Sequence, residues 1–246
     1  MDIVSETDVF KAGSPEGIWD RLAHGLSGDR PDQFIQSLRD TGELKEILPE
    51  VDALFGVPQV PEHHPEIDTG VHTLMTLRKA AELSDDVSVR YAALVHDVGK
   101  GLTDPQAWPK HHDHEELGVP PVRDIAERLN IPEETAALAE HVARYHLHAH
   151  RSFEMKPGKI LKLLEETEAL DRPDMFEHFV LAVQADAQGR LGMENKPYPQ
   201  ADLLRQTLQA IQAVDVTDLS SDEMVRQVRI QAVKDVKDHS EMNLDQ

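Results

Sequence analysis

His96 and Asp97 stand side by side and are followed at once by Val98-Gly99-Lys100, in a stretch from Tyr91 to Val95 that otherwise reads as a buried helix. An imidazole and a carboxylate are costly to bury unless something pairs them. A divalent cation pairs both. His72 upstream and Asp186 downstream offer the same two ligand types. Successive helical residues diverge by about 100°, so His96 and Asp97 reach one ion only where the helix ends, which the glycines at 99 and 101 mark. A lone histidine near a helix C-terminus often does no more than satisfy the last carbonyls. The adjacent carboxylate and the Gly-Lys that follows favour the metal here. Lys100, one turn from His96, is placed to neutralise a phosphate.

Other residues gain weight from the helix period. Met175, Phe179, Ala182 and Asp186 form one stripe, so the carboxylate falls on the inward face. A salt bridge to Arg190 is the alternative to metal ligation, because a buried unpaired carboxylate is disfavoured. Arg190 is also a second candidate for holding phosphate. Leu138, Val142 and His146 share a face in the same way, with His141, His148 and His150 near enough to leave the choice of ligand open. His72 lies early in an amphipathic helix. The densest local cluster runs from Lys110 to Gly118. His114 opens a helix there, His111 and His112 are candidate loop residues near the substrate, and at least one of the three histidines is expected to be solvated.

Nearly every segment has helical period and length, and no strand with clean alternation stands out, so the fold class is all-α. A first helix begins at Ser14-Pro15-Glu16 and carries Ile18, Trp19, Leu22 and Leu26 on one side. A second runs from about Asp32 through Leu48 and stops at Pro49. A Pro- and His-rich loop, 57–68, leads to a helix capped by Asp68 or Thr69 and ending near Leu83. The next covers roughly 87–98. Further helices are expected near 114–130, 132–149, 156–169, 173–190 and 199–214. A last one, 221–239, is charged on most faces and reads as exposed or partly frayed. The expected organisation is a small N-terminal helical subdomain over 1–60, a main domain over 61–214 and a charged C-terminal helix or tail over 215–246.

Composition narrows the partners. The 246 residues hold 46 acidic and 25 basic side chains, a formal net charge of −21. That argues against a broad basic nucleic-acid surface. There is no cysteine, which excludes disulfides and thiolate zinc sites and leaves His and carboxylates as the only ligands. No window of about 18 apolar residues exists to span a membrane. The acidic N-terminus has no signal-peptide pattern, so a cytoplasmic location is expected.

The order His72, His96-Asp97, His114, His146 and Asp186 resembles the HD superfamily of metal-dependent phosphohydrolases. Within it, four stretches are similar to the C-terminal body and HD region of bacterial CCA-adding tRNA nucleotidyltransferases. They are His64 to Leu77, His96 to Thr103, Trp108 to His112, and Ala185 to Arg190. The likeness runs from about Asp8 to Val214. The nucleotidyltransferase head of those enzymes has no counterpart here, so CCA addition is not expected of this chain alone, and the Met1 start favours a stand-alone protein.

The resemblance implies an all-α HD bundle and hydrolysis of nucleotide or RNA-end phosphoesters, as a 2′,3′-cyclic phosphodiesterase, 2′-nucleotidase or phosphatase. Asp97, Lys100 and Arg190 would act in catalysis. A first divalent ion would sit among His72, His96, Asp97 and Asp186. A second would use His114 and His146, with Asp97 bridging. Mn, Ni, Co, Fe or Zn suit this mixed set better than Mg. The implied partners are a nucleotide or an RNA 3′ end, tRNA among them, and a second copy of the chain through the HD region. The rival readings are an HD hydrolase of dNTPs or guanosine polyphosphates, and a non-catalytic tRNA- or nucleotide-binding module.

Overall fold

The computed structural model describes residues 15–244. Among them are twelve α-helices and an isolated antiparallel bridge between Pro58 and Asp68, with no strand. The helices are α1 (Pro15–Ser27), α2 (Pro31–Asp40), α3 (Glu43–Ile47), α4 (Pro49–Asp52), α5 (Thr69–Leu83), α6 (Val87–Val95), α7 (His114–Arg128), α8 (Glu133–His150), α9 (Pro157–Glu166), α10 (Pro173–Gln188), α11 (Pro199–Gln212) and α12 (Asp222–Leu244). The all-α expectation holds.

The most apolar helix becomes the axis. Every residue of α6 from Val89 to Val95 is buried, Arg90 included. α5, α8 and α10 pack around it, and α7 lies on α8. Arg90 is tolerated inside because its guanidinium donates to the carbonyls of Leu26, Gly28 and Ser84, which meets the demand for full pairing of a buried charge. The first helices share this core. Trp19 meets Tyr91 edge to face at 5.4 Å between ring centroids, and Leu22, Leu26, Ile35 and Leu38 join the same apolar cluster.

Caps fix where two of the central helices begin. The Asp68 carboxylate accepts from Val71 N and from Gly56 N, which starts α5 and ties it to the preceding loop. Asp86 accepts from Ser88 N and starts α6.

Three expectations need correction. The run from Asp32 to Leu48 is not one helix: the chain breaks at Thr41-Gly42, where Gly42 takes φ +83°, and Pro49 opens α4 instead of ending a helix. The helix expected over 87–98 ends at Val95, and a short 3-10 helix, Val98–Leu102, runs through both glycines. The last helix is not merely exposed. α12 lies against α9 and α11 and buries Val233 completely. Its apolar stripe (Ile230, Val233) is only a few residues wide, and the surrounding charges mask it in the sequence.

Candidate metal centre

The ligand-type side chains come from five places: α5 (His72), the end of α6 (His96 and Asp97), the start of α7 (His114), α8 (His146) and the end of α10 (Asp186). All six are buried, none above 6% exposure. His96 still has helical angles, but Asp97 leaves the helix at φ −107°, ψ 10°. That departure lets two neighbouring side chains serve one site.

Two glycines set the spacing. A Cβ on Gly99 would stand 2.0 Å from the His114 carbonyl oxygen and 2.6 Å from Gly118 N. Only glycine lets the 3-10 segment lie this close to α7, and the contact seats His114 beside Asp97. Gly189 does the same between α10 and α5, where a Cβ would come within 2.5 Å of Thr76 Cα. That approach brings Asp186 to His72.

Asp97 lies at the centre, and its two oxygens face different imidazoles. Oδ2 is 3.2 Å from His96 Nε2 and 3.9 Å from His72 Nε2. Oδ1 is 3.3 Å from His114 Nε2 and 3.7 Å from His146 Nε2. Asp186 Oδ1 approaches His72 Nε2 at 3.0 Å and His96 Nε2 at 3.8 Å. Two fully buried sets result, His72–His96–Asp186 and Asp97–His114–His146, each with its ligand atoms within 4.8 Å of one another, and a third, half-buried set joins His72 to His64 and Glu66. The spacing brings together all the expected ligands.

The hydrogen bonds behind the rings decide what the front atoms can do. Nδ1 of His96 donates to Ala93 O at 2.8 Å, Nδ1 of His114 to His111 O at 2.8 Å, and Nδ1 of His146 to Val142 O at 3.0 Å. A carbonyl only accepts, so each neutral ring keeps its proton on Nδ1 and turns a lone pair on Nε2 into the site. His114 Nε2 and His146 Nε2 are 3.3 Å apart, so in these tautomers two lone pairs face each other. His96 Nε2 and Asp97 Oδ1 are buried with no aligned hydrogen bond. Such a set of converging acceptors is unfavourable without a cation and fits one well.

The electrostatics agree. Burial works against charge on Asp97, but His96, Lys100 and His114 outweigh it and hold the carboxyl well below the usual range. Burial likewise opposes charge on Asp186, and Arg190, His150 and His96 overcome it, again well below the usual range. Burial pushes His146 well below an ordinary imidazole. At His96 burial is outweighed by Asp97 and Asp186, which raise it. Asp97, Asp186 and His146 driven well below their usual values, with His96 raised beside them, make this cluster a candidate site for chemistry.

The remaining candidates have defined places. Lys100 is 6% exposed, and its Nζ donates to Asp97 Oδ2 at 2.7 Å and to Gln59 Oε1 at 2.6 Å. Arg190 Nη2 lies 3.4 Å from Asp186 Oδ1, while its Nε is buried without a hydrogen bond. His111 is a loop brace, with Nε2 donating to Pro58 O and Nδ1 2.6 Å from Thr103 Oγ1. His112 and His148 are exposed, and His141 is half-buried with an unpaired Nδ1.

The chain's match to a known family has the same limits as this cluster. Residues 69–188 match the family described as HD domain. The chain carries an HD domain. Its relatives point the same way. A Multifunctional CCA protein of Hahella chejuensis is 46% identical over 209 residues, covering 85% of this chain and 50% of that protein. One from Acinetobacter baumannii strain AYE is 42% identical over 244 residues, covering 96% and 59%. One from Teredinibacter turnerae is 49% identical, covering 83% and 51%. The chain therefore spans about half the length of the curated relatives it matches.

Three contributors to the centre escaped the sequence reading or were left open by it. His150, at the end of α8 within the HD domain, donates from Nε2 to Asp186 Oδ2 at 2.6 Å and has Tyr198 Oη 2.8 Å from its Nδ1. Gln59 and Glu66 precede the HD domain match and reach it through the 57–68 loop. Gln59 takes one hydrogen of Lys100, and Glu66 lies 3.1 Å from His72 Nδ1. A loop carries no periodicity, so nothing in the spacing announces these two. No helix among the described residues is long and apolar enough to cross a membrane.

Proposed function

We propose that this chain is a divalent-metal-dependent phosphohydrolase of nucleotide or RNA-end phosphoesters, working as a 2′,3′-cyclic phosphodiesterase, 2′-nucleotidase or phosphatase. One observation carries the reading: Asp97 offers one oxygen to His72 and His96 and the other to His114 and His146. A carboxylate with two buried imidazoles on each side suits a pair of cations, and such a pair would supply a clamp for in-line displacement at phosphorus. A binding module without turnover has no need of it.

When bound, the cations supply Lewis-acid polarisation of the phosphoryl group and a water nucleophilic at neutral pH. The chain supplies the rest. His72, His96 and Asp186 would hold one ion, His114 and His146 the other, and Asp97 both. Imidazole with carboxylate favours Mn, Co, Ni, Fe or Zn over Mg. Lys100, bonded to the Asp97 oxygen that also faces His72 and His96, keeps that carboxylate ionised, and its charge adds to the field that attracts phosphate. Arg190, with its side chain 21% exposed and its Nε unused, is the group best placed to take a phosphate oxygen. The relatives' printed name, Multifunctional CCA protein, supports an RNA 3′ end, tRNA included, as the substrate class. The net charge of −21 favours recognition of a short end over a long backbone.

The test is hydrolysis of bis-p-nitrophenyl phosphate, then of 2′,3′-cyclic AMP and 2′-AMP, with Mn, Ni or Co added and with chelator. Activity that needs metal and disappears in Asp97→Ala with helical circular dichroism intact supports the proposal. Full activity in chelator, or in that variant, overturns it.

A further inference from the structure

We infer that Glu66, which lies outside the HD domain match, is a positioning residue that orients His72 and strengthens it as a metal ligand, so that the ion held by His72, His96 and Asp186 binds more tightly than the one held by His114 and His146. The inference rests on the metal reading above and goes beyond it by ranking the two positions and naming the cause.

The argument begins with a difference among four imidazoles. His96, His114 and His146 each set Nδ1 against a backbone carbonyl. Among them and His72, only His72 has a carboxylate as the nearest partner of Nδ1: Glu66 Oε1, 3.1 Å away, with both side chains buried (0% and 3% exposed), whereas Glu115 Oε2 stands 3.6 Å from His114 Nδ1, farther than the His111 carbonyl at 2.8 Å. His72 Nδ1 is buried and the contact is not aligned as a hydrogen bond, so its one polar neighbour within ion-pair range is Glu66. On the opposite edge of the ring, Nε2 meets Asp186 Oδ1 at 3.0 Å. The ring therefore lies between a carboxylate behind and a carboxylate in front. With a cation in front, a carboxylate beside Nδ1 favours the proton on that nitrogen and leaves Nε2 a more electron-rich lone pair than a neutral carbonyl would.

Glu66 is itself held in place. His64 Nδ1 is hydrogen-bonded to the same Oε1 at 3.0 Å, and Leu191 N donates to Oε2 at 3.3 Å, just after α10. The His64 ring also packs edge-on against His72, 4.6 Å between centroids. Glu66 thus links the loop before α5, the ring of His72 and the chain that follows Asp186.

The experiment is calorimetric titration of the metal-free protein with Mn²⁺, and a parallel Co²⁺ titration followed by visible absorption. Wild type, Glu66→Gln, Glu66→Ala and His146→Ala are compared, each checked for native circular dichroism. The expected result is two unequal sites in wild type. Glu66→Ala should weaken the tighter one by about 10- to 100-fold and change the Co²⁺ band of the first equivalent, leaving the weaker site in place. Glu66→Gln keeps an acceptor oxygen without the charge and should fall between the two. His146→Ala should remove the weaker site alone. Wild-type affinity and spectrum in Glu66→Ala overturn the inference and leave the hydrolase reading standing. Two equal sites in wild type overturn the ranking. Wild type that binds no metal overturns both readings at once.

Discussion

His150 Nε2 lies 2.6 Å from Asp186 Oδ2, a bond between the last residue of α8 and the last turn of α10 that leaves Oδ1 of the same carboxylate turned toward His72 and His96. His150 is in turn steadied by Tyr198 Oη at 2.8 Å, just ahead of α11. A ligand carboxylate with one oxygen already fixed has lost most of its freedom before a cation arrives. His150→Ala should therefore lower metal affinity and metal-dependent turnover by about 10- to 100-fold. His150→Gln, which keeps a donor, should recover part of the loss. Unchanged Mn²⁺ affinity in His150→Ala would remove His150 from the centre.

The Asp97–Lys100 pair separates folding from function. Each is the other's counter-charge in a site that is 6% exposed or less. Removing one member of a buried pair costs about 3–5 kcal/mol, because the survivor is left charged and alone. Asp97→Asn should lower the melting temperature of the metal-free protein and abolish activity. Asp97→Asn with Lys100→Met should regain much of the stability and none of the activity. Thermal melts and the phosphodiester assay on the same samples read both outcomes. A double variant no more stable than the single one would mean that the pair is not what the fold depends on.

How much of this was legible in the chain depends on which physical rule was in force. Helix period placed Asp186 on the face of Met175, Phe179 and Ala182, and His146 on the face of Leu138 and Val142, and all of these are buried. Period says which way a side chain points along its own helix, and stops there. It could not say that His150, which the spacing left as one option among several, would bond to Asp186 rather than ligate. It was silent on Gln59 and Glu66, whose positions follow from the fold of a loop. The end of α6 was misplaced for a related reason. Gly99 looks like a helix stop by its lack of a side chain, but its use is to let His114 O and Gly118 come close, a tertiary demand that local sequence does not display.

That close approach gives a third prediction. Gly99→Ala would place a methyl group against backbone atoms of α7, which cannot swing aside as a flexible side chain can. Overpacking of this kind costs about 1–3 kcal/mol. Because the displaced element carries His114, the loss should fall unevenly: the ion position of His114 and His146 should weaken, and that of His72, His96 and Asp186 should persist. Metal titration of Gly99→Ala showing one retained tight site is the expected outcome. Equal weakening of both positions would mean that α7 does not move as a unit.

A last prediction concerns acid stability away from the centre. His141 sits half-buried on α8, and burial lowers its pKa against the weaker opposing pull of Glu168 and Glu140. Its Nδ1 is buried without a partner. With the folded value below the unfolded value of about 6.5, the unfolded chain holds a proton in that window that the folded chain does not. Folding stability therefore rises with pH across it. The contribution of His141 is complete above pH of about 6.5 and is lost as pH falls below it. His141→Leu keeps the buried volume and removes the titrating group. Melting temperatures of metal-free wild type and variant, measured between pH of about 5 and 7.5, should converge or cross on the acid side, with the variant losing less as pH drops. Parallel curves would show that protonation of His141 is not coupled to unfolding.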